Sequence, residues 1–467
     1  MSEVKKLDDK WGHSLEQIGV LEEYEYLDGD PDYRKNQKAL FLSGEIINPN
    51  LDYPKIKLEE LQDRSFNLNA LKETLKSEEK NQTLKEIYLK KINDQLASVY
   101  FLMSVKLAEQ LDKNQDKFST EEHDKMKKAF VRKIHHFLYF KYSKPNIPYF
   151  DLTIEEALNT IRTKVKDDSP DEIKQSAAEL QGVLTRSEKH LDAIKLPNQS
   201  LVENLQKEIH DKINALTRLE EGKEEYDAPE IVKAFNIALE KLNIIDWTVE
   251  IVTDKTAISV DQENKVVKVP ATRKVKRTKL ISLIAHEIGV HVTRRSNGEK
   301  SNLAILGRGL DRYERIEEGI ATMVEQLLKG KVEEFAGFDG YLSVALAQGL
   351  DGKSRDFREV YDILYKYYLI EEQAKKNNTE AKTKAQDKAW TRAVRTFRGV
   401  PPGVKGICYS KDLTYREGNI RAWENIEDFL KTNPLNAIFA GKFDFTNPKH
   451  LEQLNKLGID LAHGTSE

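Results

Sequence analysis

Two histidines and a glutamate stand close together in the segment 286–291, which reads His-Glu-Ile-Gly-Val-His within an apolar stretch. Imidazole nitrogens and carboxylate oxygens are zinc ligands, and a catalytic zinc site keeps one further position for water. Histidines five residues apart project roughly 140° apart on an ideal α-helix and would not face one ion. We therefore predict a π-bulge near Gly289 that absorbs the extra residue. The competing interpretation is a pair of structural histidines that bind no metal.

A third metal ligand would have to come from a second element. The sequence Glu-Glu-Gly-Ile-Ala at 317–321 offers a carboxylate on a predicted helix over 312–328, and its small residues would allow a close approach to the metal helix. If the two helices are antiparallel, the glutamates face the histidines. The alternative for this pair is a solvated acidic turn.

Helical periodicity dominates the elements that must position these residues. Apolar residues recur at three- and four-residue steps, and short β-type runs precede the histidine helix. Helices are predicted over 81–112, 121–142, 153–165, 170–194, 200–220, 278–295 and 312–328, and strands over 247–252, 257–260 and 265–269. A strand beside the metal helix is a place where an extended peptide could pair by edge addition.

The length of 467 residues suggests two or three domains in a mostly α, α+β protein. The capping pattern Asp227-Ala228-Pro229-Glu230 marks a boundary. We predict a helical N-terminal region over 1–226, a catalytic region over 227–435 that contains a small β-sheet beside the metal helix, and a C-terminal tail over 436–467.

Charge and cysteine content limit the classes of function. Lys and Arg number 74 against 78 Asp and Glu, so the net charge of -4 argues against a generic nucleic-acid binder. Two windows are nevertheless basic, +6 over 271–300 and +5 over 391–421. The one cysteine, Cys408, fits a reducing compartment and is expected in a buried strand. With no leader or apolar span predicted, we expect a cytoplasmic protein without a membrane partner.

Several motifs together resemble the microtubule-associated tyrosine carboxypeptidase family and its bacterial relatives with a Gln-Glu-Gly-Leu-Ala motif. The resemblance covers roughly residues 35–435. The matching elements are Asn48-Pro49-Asn50-Leu51-Asp52-Tyr53, His286 to His291, Arg294, Asn297, Glu317 to Ala321, Arg398-Gly399, Ser410-Lys411-Asp412, Tyr415 and Gly418. Glu317 stands where the relatives have Gln, and Leu51 stands where an aromatic residue is more frequent.

This resemblance implies a gluzincin-like zinc metallopeptidase of mostly α architecture with one Zn²⁺ per chain. His286, His291 and Glu318 would be the metal ligands, and Glu287 would be the general base. The implied activity is that of a carboxypeptidase. The identity of the substrate does not follow from the resemblance.

Further residues are candidates for contacts with the substrate. A phenolic hydroxyl can donate to the oxyanion while it is neutral, which makes Tyr415 or Tyr313 a candidate. Arg398 and Lys411 are candidates for holding the terminal carboxylate, because cations bind carboxylates and attract acidic tails. The expected partner is therefore a peptide or protein C-terminal tail, acidic in character, and no nucleic acid is expected.

Three alternatives remain open at the level of sequence. Dipeptidyl peptidases share the lengthened histidine spacing, although there a glycine precedes the second histidine, and here that residue is Val290. A catalytically silent zinc-containing binding protein would keep the same ligands. A nucleic-acid binder would use the two basic windows and show salt-sensitive affinity.

Overall fold

The structure, a computed structural model, describes residues 6–184, 194–253, 255, 257–373 and 378–462. It is 67% helical with small sheets, which confirms the mostly α prediction. The α-helices in chain order are α1 (Asp9–Ile18), α2 (Pro31–Ser43), α3 (Leu58–Glu78), α4 (Gln82–Lys113), α5 (Thr120–Tyr142), α6 (Ile147–Lys164), α7 (Asp171–Val183), α8 (Gln199–Leu216), α9 (Ala228–Lys241), α10 (Arg277–Leu283), α11 (Thr293–Lys300), α12 (Ile305–Arg308), α13 (Glu314–Lys329), α14 (Phe338–Gln348), α15 (Phe357–Gln373), α16 (Asn378–Phe397), α17 (Leu413–Leu430) and α18 (Pro448–Lys456).

The strands form two small sheets that precede the histidine helix. They are β1 (Glu225–Asp227), β2 (Thr248–Val252), β3 (Ser259–Asp261), β4 (Val266–Pro270) and β5 (Lys274–Lys276). β1 pairs with β5 antiparallel, while β4 lies between a parallel β2 and an antiparallel β3. β3 is thus an edge strand, and it contacts the helix that carries the histidines, as the sequence predicts for the small sheet.

Local sequence explains where the main helices begin. The Asn81 side chain accepts hydrogen bonds from the first turn of α4. Ser119 and Asp227 each form a capping box, at α5 and α9. The helix predicted over 170–194 ends earlier, at Val183, and residues 185–193 lie outside the described part of the chain.

Cys408 is buried, but the predicted strand around it is wrong. The residue lies in the loop that precedes a short 3₁₀ helix, with its Sγ 3.8 Å from the carbonyl oxygen of Val344. Burial raises the pKa of this thiol to about 12, which keeps it in the unreactive protonated form. Along the described ranges, none of the helices combines the length and the apolar character needed to cross a membrane.

Segments near both ends of the described chain contact residues 304–310, which follow the histidine helix. Near the N-terminus, the Asp8 carboxylate accepts hydrogen bonds from the backbone N–H groups of Ala304 and Ile305. Near the C-terminus, backbone hydrogen bonds join Lys442 to Leu306 and Leu310. The segment after residue 435 is therefore in direct contact with the catalytic half.

A buried polar network joins the N-terminal helices to the loop before α17. Glu23 lies at its centre and accepts hydrogen bonds from Lys141 at 2.9 Å, Ser98 at 2.9 Å and Tyr409 at 3.0 Å, and also from Tyr142. Burial alone would raise the pKa of Glu23, but the nearby cations hold it well below its usual range. A buried charge with several partners ties these elements together, because it has no low-energy alternative arrangement.

Asp94 lies beside this network, and within the described part of the chain neither of its carboxylate oxygens accepts a hydrogen bond. Burial, reinforced by the charge of Glu314, raises the pKa of Asp94 to about 6 despite the neighbouring Lys141 and Lys91. The pKa in the folded protein thus exceeds the ordinary value of an aspartate. Ionised Asp94 therefore opposes folding, and this unfavourable contribution grows as pH rises through the range between the two pKa values.

We expect Asp94→Asn to stabilise the protein at pH 8 by about 2 kcal/mol, because the asparagine carries no charge to desolvate. Near pH 4 the aspartate is protonated, and the two proteins should have similar stability. The free energy of unfolding from urea titrations at both pH values checks this, with the exposed Asp116→Asn as the matched control. A destabilised Asp94→Asn protein at pH 8 would contradict it.

Candidate functional site

The histidines lie on a π-helix, which confirms the predicted widened turn. Residues Ile284–Val292 are π-helical and continue from α10 directly into α11. A π-helix closes its hydrogen bonds between residues five apart, so His286 and His291 fall on the same side. Their ring centroids are 4.9 Å apart. A Cβ at Gly289 would lie 3.3 Å from Cδ1 of Ile213, so the glycine allows α8 to pack closely.

The ligand atoms of His286, Glu287 and His291 lie within 4.8 Å of one another. Glu318 lies next to this group, with its Oε2 3.8 Å from Nε2 of His286, but it is not part of the mutual cluster. Burial raises the pKa of Glu287, in part offset by the two histidines. The structure thus brings the three predicted ligands and the predicted base to one place.

Glu325 orients the first histidine. Its Oε1 lies 2.8 Å from Nδ1 of His286, and its other oxygen contacts Lys329 at 2.9 Å and Lys279 at 3.5 Å. A carboxylate only accepts, so Nδ1 carries the hydrogen and Nε2 is left for another bond. Burial lowers the pKa of His286, but this hydrogen bond and the nearby carboxylates outweigh it and raise the pKa to about 9. The surrounding carboxylates therefore favour positive charge on this ring.

Glu317 orients the second histidine from the buried side. Its carboxylate lies 2.9 Å from Nδ1 of His291, 3.0 Å from Nζ of Lys442 and 3.0 Å from Nη1 of Arg294. Burial alone would raise the pKa of Glu317, but Lys442, His291 and Arg294 hold it well below its usual value. The two glutamates of the motif thus have different positions, since Glu318 lies toward the histidine cluster and Glu317 lies behind it.

Sequence reasoning missed the roles of Glu325 and Lys442. Glu325 follows Glu318 by seven residues, which places both on one face of a helix. This spacing indicates that Glu325, like Glu318, faces the histidines. Lys442 belongs to the segment predicted as a tail, and no local pattern connects it with Glu317. Its contact depends on the packing of the C-terminal segment.

Two glycines bring α13 and α17 into direct backbone contact. A Cβ at Gly319 would overlap the carbonyl of Gly418, and a Cβ at Gly418 would overlap that of Arg315. This crossing places Tyr415 beside Glu318. The charge of Glu318, followed by burial, raises the pKa of Tyr415 above its ordinary value, so the hydroxyl keeps its proton.

Arg395 holds the hydroxyl of Tyr415, and Asp412 in turn holds Arg395. Arg395 hydrogen-bonds with Tyr415 and pairs with Asp412 at 2.8 Å, and Arg392 pairs with the same carboxylate at 2.6 Å. Tyr313, the other predicted donor, is buried near Glu317. Of the two tyrosines, Tyr415 is the one that lies next to a predicted ligand.

The two predicted carboxylate-binding cations lie in different surroundings. Nζ of Lys411 lies 3.5 Å from the ring centroid of Tyr24 and lines a cavity that Glu314 also lines. The Arg398 guanidinium lies 4.8 Å from the ring centroid of Tyr409, at the contact with the N-terminal helices. Lys411 is thus the one that borders a cavity beside α13.

We expect Glu317→Gln to lower the free energy of unfolding by about 3 to 5 kcal/mol, because Lys442 and Arg294 would stay buried without their carboxylate. The double variant Glu317→Gln/Lys442→Met should recover part of this loss, since it removes one of the buried cations. Urea titrations in a chelator would measure both, and the exposed Glu333→Gln serves as the control. Equal losses in the single and double variants would contradict the charge argument.

A sequence model of a known family matches residues 186–462, which is more than half of the chain. The matched part contains the histidine helix, α13 and Tyr415, whereas residues 1–185 lie outside it. A comparison with individually curated proteins found no match. The motifs of the sequence, the π-helical histidine pair and this match agree, and the chain belongs to the microtubule-associated tyrosine carboxypeptidase family.

Proposed function

We propose that this protein is a zinc-dependent metallo-carboxypeptidase that removes C-terminal residues from peptides or protein tails. The family match supports carboxypeptidase chemistry. One observation carries the metal proposal: Nδ1 of each histidine is hydrogen-bonded to its own carboxylate of α13, that of His286 to Glu325 and that of His291 to Glu317. Metal-binding histidines commonly have such a partner, which fixes the ring and leaves Nε2 for the ion.

The donor set fits zinc. Two imidazole nitrogens with the Glu318 carboxylate make the His₂Glu set of catalytic zinc sites, in which a fourth position remains for water. Bound zinc would lower the pKa of that water and polarise the scissile carbonyl. Three carboxylates raise the pKa of His286, those of Glu325, Glu287 and Glu318. In this proposal the same negative charges attract a divalent cation to the two histidines.

Glu287 acts as the general base in this proposal. Its carboxylate accepts the proton of the attacking water and then delivers it to the leaving amine. Burial raises the pKa of Glu287, and a carboxylate of raised pKa is a better proton acceptor. Tyr415, held by Arg395, donates its hydroxyl hydrogen to the oxyanion that develops on the substrate carbonyl.

The proposed substrate is the C-terminal tail of a cytoplasmic peptide or protein. An acidic tail would be attracted by the two basic windows, 271–300 and 391–421. Lys411 binds the terminal carboxylate in this proposal, because it borders a cavity beside α13. Arg398 packs on Tyr409, so we place it in support of that region rather than at the scissile bond. The edge strand β3, which contacts the π-helix, offers backbone groups for an extended peptide.

We expect the zinc-loaded protein to release single C-terminal residues from peptides and the Glu287→Gln variant to lose this activity by at least about 100-fold. Mass spectrometry of peptides with varied C-termini identifies the products, and elemental analysis shows whether both proteins hold zinc. Dipeptides released from N-termini would instead indicate a dipeptidyl peptidase. Zinc in both proteins with no cleavage by either would favour a silent binding protein.

Glu325→Gln should weaken zinc binding by about 10- to 100-fold, since the amide orients His286 less strongly and lowers its basicity. Competition against a chromogenic chelator measures the affinity without any substrate. Glu333→Gln, an exposed change beyond the end of α13, should bind zinc as the unmodified protein does. Unchanged affinity in Glu325→Gln would show that this carboxylate does not support the site.

A further inference from the structure

A polar cavity of about 340 Å³ lies beside the start of α13. It lies between the N-terminal region, α13, α17 and the C-terminal segment. Its charged and polar lining includes Glu22, Arg312, Glu314, Lys411, Thr414 and Arg421. The walls thus combine residues inside the family match with residues of the N-terminal region, which lies outside it.

The cavity adjoins the proposed catalytic residues through two elements. Glu314 precedes Glu318 by one helical turn, a rise of about 6 Å along α13. Thr414 immediately precedes Tyr415. The cavity wall and the proposed catalytic residues are therefore neighbours along α13 and at the start of α17.

Two cations of the cavity are available for a ligand. Lys141 is already paired with Glu23 at 2.9 Å, and Arg315 with Glu417 at 3.0 Å. Lys411 and Arg421, by contrast, have no carboxylate oxygen at ion-pair distance in the described ranges, although each lies in the field of a carboxylate that another cation already pairs, Glu23 and Glu417 respectively. Lys411 lies in the short 3₁₀ helix directly before α17, and Arg421 lies in the middle of α17. Two unpaired cations in one cavity are the arrangement that a carboxylate recognises.

Arg312 adds a third cation at the cavity wall. Its backbone has a φ of 53°, a left-handed conformation that a non-glycine residue adopts at a cost of about 1 kcal/mol. Its guanidinium is half exposed and lies 3.2 Å from Asp311. Strained residues of this kind cluster at functional sites, because the surrounding structure holds them where the side chain is needed.

We infer that this cavity binds the residue that the proposed carboxypeptidase activity releases, an inference that rests on the proposed function. The α-carboxylate binds Lys411 and Arg421. The side chain of the released residue lies against Glu22, Glu314 and Arg312, and the N-terminal region thereby takes part in selecting the substrate.

The released residue has a polar side chain with hydrogen-bond donors. Glu22 and Glu314 also face the cavity and form no ion pair in the part of the chain that the structure describes. An apolar side chain would desolvate these carboxylates without replacing their hydrogen bonds, which is unfavourable. A glutamine side chain offers an amide that donates to them, whereas leucine of similar size offers nothing.

The test uses zinc-loaded Glu287→Gln protein, so that a bound peptide is not consumed. The probes are dansylated tetrapeptides that end in Gln or Leu, each as the free acid and as the amide, and fluorescence anisotropy reports binding. We expect the Gln acid to bind about 10-fold or more tightly than its amide, and more tightly than the Leu acid. Adding Arg421→Gln or Lys411→Gln should abolish the preference for the acid, whereas the exposed Lys431→Gln should keep it.

Several results would overturn the inference. Equal binding of acid and amide, a preference that survives both Arg421→Gln and Lys411→Gln, or no binding at millimolar peptide would remove the carboxylate site. Equal binding of Gln and Leu acids would remove the polar selectivity. If the wild type still releases C-terminal residues in those cases, the proposed function stands without this cavity. Acid-selective binding without any cleavage would instead leave a C-terminus-binding cavity and remove the proposed activity.

Discussion

The five-residue spacing of His286 and His291 is the constraint on which the rest of the site depends. Only a π-turn brings both rings to one side, and π-turns are rare because they pack less well along their axis than α-turns. Here the apolar residues of the π-helix are buried, and it contacts α8, α9, α13 and β3. Tertiary packing on all sides therefore stabilises a backbone that local propensity alone would not form.

α13 provides the complementary half of the site because its glutamates point in different directions. Glu318 and Glu325 share the face toward His286, and Glu317, one residue before Glu318, is turned by about 100° toward the buried His291. Each histidine is thus fixed through Nδ1 by a carboxylate on the same rigid helix. Lys442 and Arg294 complete the arrangement, since Glu317 would otherwise be a buried charge without sufficient compensation.

The sequence predicts this site as far as spacing determines it. The period of the apolar residues locates α4, α5 and α13, and the geometry of the histidine spacing requires the π-turn at Gly289. The partners of the ligands were harder to predict, because Lys442 reaches Glu317 from 125 residues away and Glu23 reaches Lys141 across 118. No local pattern encodes such contacts. For Arg398 the sequence motif identifies the residue but not its surroundings. Its guanidinium packs against the Tyr409 ring, which the motif does not predict.

The buried network around Glu23 connects the N-terminal region to the catalytic region through Tyr409. The N-terminal region is thus in contact with the catalytic region, although the family match begins at residue 186. Glu23 holds Lys141 in an ion pair within the core, so that this cation is not available to a ligand. Lys411 also interacts electrostatically with Glu23, but it does not form an ion pair with this carboxylate. Its ammonium group lies over the Tyr24 ring at the cavity wall. The 3₁₀ helix Glu23–Leu27 thus determines that Lys141 has a carboxylate partner and that Lys411 has an aromatic one. Without this helix, Lys141 would lose its carboxylate and compete with Lys411 for any anion in the cavity, so the selectivity of the cavity depends on residues far from the histidine motif.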